Sequence, residues 1–175
     1  MTAYGQGWLS DATTSLANSA GPWSLAAFLV ARYNRRLAPA VVAAMLTLAC
    51  CELGYALATD LRGGTNAKST VVLWLTAAVL AGSALGVAVA WSTETGLRRG
   101  VGLSAVGWIL LGEGLHGWST IADTTDWRYW MIEVVIGALV VLFVAARSQW
   151  PLRAILALAT AVLTASIVFA FGRSA

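Results

Sequence analysis

Charge is what this sequence has least of. Lys, Arg, Asp and Glu together make up 11% of its 175 residues, where soluble domains carry roughly 25%. Apolar residues fill 59% of the chain and the mean hydropathy is +0.75, so a water-facing surface cannot be assembled from what remains. A soluble globular or disordered chain is excluded, and an integral membrane protein is the class that fits. Histidine occurs once, at His116, and the two cysteines, Cys50 and Cys51, are adjacent within an apolar run. Neighbouring cysteines suit neither a disulfide framework nor a zinc pattern, and read as small buried hydrophobes. No phosphate-binding glycine loop, HExxH or GxSxG stands anywhere in the sequence, which removes the motif-bearing nucleotide, zinc-protease and serine-hydrolase classes. The N-terminus has no basic stretch ahead of an apolar one, so no cleavable signal peptide is expected.

What is present is a series of apolar segments with short polar joints. Together they predict one domain over residues 1–175, an all-α polytopic bundle of six transmembrane helices with an N-terminal interfacial helix. Leu9, Ala12, Leu16 and Ala20 recur at helical spacing in a segment too polar to span, giving the interfacial helix at about 9–20. Ser19 followed by Gly21-Pro22 is a helix start, and the first span is expected at about 22–36, short unless Arg32, Arg35 and Arg36 snorkel. Further spans follow at about 39–58, 70–91, 101–121, 127–146 and 151–171, the lengths needed for a hydrocarbon core of ~30 Å. Within the third, Gly82-Ser83-Ala84-Leu85-Gly86 is a small-residue step that could pack within the chain or form a homodimer seam.

The basic residues stand at segment ends. That arrangement sets topology and leaves the lipid bilayer, with its anionic head groups, as the partner, with no nucleic acid expected. Seven Lys and Arg fall at the joints after spans one, three and five, and four on the opposite side, which predicts both termini outside. With that orientation Glu52, Glu113 and Glu133 share the outer leaflet, and His116 stands one turn above Glu113. Ionisable groups at membrane depth are costly enough to raise a functional hypothesis. The candidate proton- or ligand-binding set is therefore Glu52, Glu113, His116 and Glu133. Asn18, Trp23, Tyr55, Trp118, Trp127 and Trp130 would rim the pocket, with Ser19 and Tyr129 beside them.

Four chemistries compete for these groups. The carboxylates could be structural glue between helices, Glu113 and His116 satisfying one another. They could line a pocket for a proton, a cation or a small molecule, with His116 tuning the charge of Glu113. Glu113-x-x-His116 is also a di-iron bundle spacing, but the second histidine is missing, which leaves at most a single metal ion on Glu113 and His116 and otherwise no cofactor. Metal-free hydrolysis or transfer would need a nucleophile beside a base, and Ser119, Thr120 and Tyr55 carry no recognisable spacing. An enzyme is not the favoured class. A weak internal echo, Glu52 with Tyr55 and Asp60 against Glu113 with His116 and Asp123, suggests parallel repeats of the kind transporters use.

The runs Leu16-Ala17-Asn18-Ser19-Ala20-Gly21-Pro22-Trp23, Glu52-Leu53-Gly54-Tyr55 and Gly112-Glu113-Gly114 resemble the small multi-helix membrane proteins of actinobacteria grouped as a domain of unknown function. The resemblance implies a bacterial inner-membrane setting. It brings no activity and no catalytic residues.

Overall fold

A computed structural model of the protein describes residues 19–34, 36–120 and 126–147. Among the described residues the architecture is entirely helical: α1 (Ala20–Ala31), α2 (Leu37–Leu61), α3 (Lys68–Ser92), α4 (Gly96–Thr120) and α5 (Trp127–Arg147). α2, α3 and α5 are long and apolar enough to cross a membrane. α4 has the same 25 residues as α2 and α3, but its glycines, Glu113 and His116 dilute its apolar character.

Several expected boundaries move. The first span, expected to run to residue 36, ends at Ala31, with Arg32 as its C-cap. At 12 residues and ~1.5 Å per residue it covers only about 18 Å, half a membrane. α2 begins ahead of Pro39 and continues to Leu61, because a proline in the first helical turn removes only an N–H that had no intrahelical partner. α4 begins at Gly96 rather than 101, within what reads as a loop. Gly96 adopts φ +68°, a left-handed conformation cheap only for glycine, and turns the chain back after Ser92. Asn66 closes the α2–α3 joint by donating from Nδ2 to the Ala56 carbonyl at 3.0 Å. Of the expected interfacial helix at 9–20, only Ser19 and Ala20 are described, and they form the start of α1. The expected sixth span, 151–171, lies outside the described residues.

Small residues lie inside and large ones outside. Ala27, Ala31, Ala40 and Ala44 are fully buried, whereas Leu46, Leu57, Leu80, Leu139 and Phe143 are all more than half exposed. That inversion suits a bundle whose outer face meets lipid, where close backbone approach stabilises helix pairs. α2 packs along α3, α3 along α4 and α4 along α5, with α1 set against α2, α3 and α4. The Gly82 and Gly86 step is spent within the chain. A Cβ on Gly82 would lie 2.6 Å from Met45 Cα, and one on Gly86 2.6 Å from the Val41 nitrogen. The α4–α5 seam is comparably close: a Cβ on Gly137 would meet the Gly107 carbonyl oxygen at 2.6 Å, and one on Gly114 the Trp130 carbonyl oxygen at 2.8 Å.

Candidate functional site

The close α4–α5 seam brings Glu113 and Glu133 to the same point, and α1 begins there. Ser19 caps α1 in extended conformation, its Oγ accepting from the Gly21 N–H at 3.3 Å. The helical N–H groups without intrahelical partners are then those of Ala20 and Gly21, since Pro22 has none. Both go to a single carboxylate from another helix. Ala20 N donates to Glu113 Oε1 at 2.6 Å, and Gly21 N donates to Glu113 Oε2 at 2.5 Å. A negative group in this place also meets the positive end of the α1 dipole.

Gly21 makes the docking feasible. A Cβ there would stand 3.0 Å from Glu133 Oε1, 3.3 Å from Glu113 Oε2 and 2.6 Å from Leu110 Cδ2. Ser19 then joins the two acids, its Oγ lying 3.0 Å from Glu113 Oε2 and 2.6 Å from Glu133 Oε1. Tyr129, one turn before Glu133 on α5, donates its hydroxyl to the same Glu133 Oε1 at 2.6 Å. Glu133 is only 4% exposed, and its Oε2 is buried with no hydrogen-bond partner among the described residues. By helical rise, Glu113 is about 10 Å from the end of α4 and Glu133 about 9 Å from the start of α5. α1 thus starts inside the bundle.

Among the described residues, His116, Glu52 and Tyr55 form no hydrogen bond with the pair. His116 is exposed, and its Nδ1 lies 3.4 Å from Thr120 Oγ1 rather than against Glu113. Glu52 is buried on α2 and makes no hydrogen bond to a described residue. Its neighbour one turn on, Tyr55, stacks at a tilt against Trp23 of α1, ring centroids 6.2 Å apart. Trp118 and Trp127 are about half exposed, whereas Trp130 is buried against Gly117 of α4. Asn18 and Asp123 lie outside the described residues. Among the described residues no three His, Cys, Asp or Glu side chains converge as a metal cluster would require.

Sequence reasoning grouped Tyr129 with the interfacial aromatics and left Gly21 without a role. The four-residue spacing from Tyr129 to Glu133 was a usable signal for the first. For the second there was none, because a backbone N–H as partner leaves no mark in the sequence.

The arrangement can hold a charge at a helix N-terminus, bridge two acids through one hydroxyl, and exchange a proton. No curated protein and no solved structure matches the chain. A family profile does match, over residues 1–174, and the chain belongs to that family, described as a family of unknown function (DUF6518).

Proposed function

We propose that this protein is a small multi-pass membrane protein of the bacterial inner membrane that binds and transports a proton, a cation or a small molecule through the carboxyl pair Glu113 and Glu133. In this reading the chain has six spans, α4 among them, and the pair opens toward the outer leaflet. The observation carrying it is that two acids from different helices meet at the N-terminus of a half-length helix inside the bundle, with one Glu133 oxygen buried and unpartnered among the described residues. Half-helix ends at membrane depth are where secondary transporters hold charged ligands, and unpaired buried acids are rarely retained without use. Proteoliposomes should show a pH-dependent flux that falls at least about tenfold in Glu133→Gln while helical content by circular dichroism is retained. Flux unchanged by that substitution would reject the reading.

A second reading has its own support. Both Glu113 oxygens are engaged by the α1 backbone, as they would be in a structural or assembly subunit whose acids only fasten α1 to α4 and α5. That role predicts a loss of thermal stability in detergent for Glu113→Gln and no flux from any variant or from the wild type.

A further inference from the structure

Counting hydrogens at the acid pair narrows the ligand. Ser19 Oγ lies within hydrogen-bond distance of Glu113 Oε2 and of Glu133 Oε1, and it already accepts from Gly21 N–H. A hydroxyl has one proton, so it can donate to only one of two carboxylates. The second contact is a hydrogen bond only if one of the acids is itself protonated and donates to Ser19. The Tyr129 hydroxyl does not fill the gap, because its proton goes to Glu133 Oε1.

The two acids differ in which could carry that proton. Glu113 receives the N–H groups of Ala20 and Gly21 at the positive end of α1, a setting that favours the anion. Glu133 is 4% exposed with Oε2 unpartnered among the described residues. A bare carbonyl oxygen of a neutral acid is far less costly there than a bare anionic one. No Lys, Arg or His from α1, α4 or α5 hydrogen-bonds or ion-pairs with either acid among the described residues. Among the described residues, the groups that the pair meets are Ser19 and two backbone N–H groups from α1, with Leu110 of α4 beside Gly21, and Tyr129 from α5. A metal cation is disfavoured at the same point, since both Glu113 oxygens face N–H donors whose positive ends would repel it.

We infer that Glu113 and Glu133 form a one-proton site, with the negative charge on Glu113 at the α1 N-terminus and the proton on Glu133 donated to Ser19 Oγ, whose own hydrogen goes to Glu113 Oε2. The exchangeable ligand of the site is accordingly a proton. This rests on reading the pair as the binding site, but its test does not depend on transport.

Infrared difference spectra of detergent-solubilised, full-length protein at neutral pH separate the two acids. Wild type minus Glu133→Gln should contain one protonated-carboxyl C=O stretch, and Glu133→Gln should unfold no earlier than wild type, because an amide reproduces the neutral acid. Wild type minus Glu113→Gln should contain ionised-carboxylate bands and no protonated-carboxyl band. Loss of ionised-carboxylate bands in Glu133→Gln, or of the protonated band in Glu113→Gln, would overturn the assignment. Should Glu113→Gln not fold, the Glu133→Gln spectrum alone decides between the two. Absence of flux with the bands as expected would reject transport and leave the one-proton site standing. Flux with the bands reversed would do the opposite.

Discussion

Ser19 has three neighbours to serve, the Gly21 N–H and two acids, and its removal strands them together. Ser19→Ala should cost about 1–2 kcal/mol, the size of a lost N-cap, read as earlier unfolding in detergent. Glu113→Ala should cost more, about 3 kcal/mol, because two helix N–H donors lose a charged acceptor at a buried helix end. At this scale the sequence was informative about cost and silent about partners. Glu113 and Glu133 stand out as charges in apolar runs, and Ser19 ahead of Gly21-Pro22 reads as a cap. The outer end of the first span sets Ser19 beside the pocket, but nothing in the letters says that its hydroxyl reaches both acids. The Glu113 and His116 pairing looked natural from spacing, yet three positions on a helix leave about 60° between side chains. That is enough for Glu113 to turn toward α1 while His116 stays exposed.

Glycine decides how the helices meet. The α4–α5 seam depends on Gly107, Gly114 and Gly117 against Gly137, Trp130 and Val134, and it is this approach that lets acids on two helices share one hydroxyl. Gly114→Val should therefore separate α4 from α5, lowering stability by about 1–3 kcal/mol through overpacking. Gly112→Ala is the control. A Cβ there meets nothing within 4 Å, so stability should hold or rise by up to about 1 kcal/mol, the helix preference for Ala over Gly. Both are measured by thermal unfolding of the detergent-solubilised protein. Hydrophobic runs gave α2, α3 and α5 to within a few residues, since a span long enough for a membrane has little freedom in where it lies. α1 and the start of α4 were less legible. The arginines after α1 read as a snorkelling extension, and the Glu94–Arg98 pair, 3.1 Å apart at helical spacing, read as loop although it brackets the first turn of α4.

For the molecule as a whole, direction decides what the acid pair can serve. Among the described residues, alternating helices put the ends of α1, α3 and α5 on one side, with Arg32, Arg36, Arg98, Arg99 and Arg147 against one acid, Glu94, and leave Arg62, Lys68 and Arg128 against Asp60 and Asp126 on the other. Basic residues are retained on the cytoplasmic side during insertion, so the α3–α4 joint should face inward and the α2–α3 joint outward. In a background with Cys50 and Cys51 replaced by alanine, Thr95→Cys should resist a membrane-impermeant thiol reagent in intact cells and react in inverted vesicles. Thr65→Cys should do the reverse. Since Glu113 lies near the end of α4 opposite Thr95, and Glu133 near the start of α5, that pattern would put the pair about 10 Å below the outer surface, reachable by an external proton. The opposite labelling would open the same acids to the cytoplasm, and any flux through them would then have to load from inside.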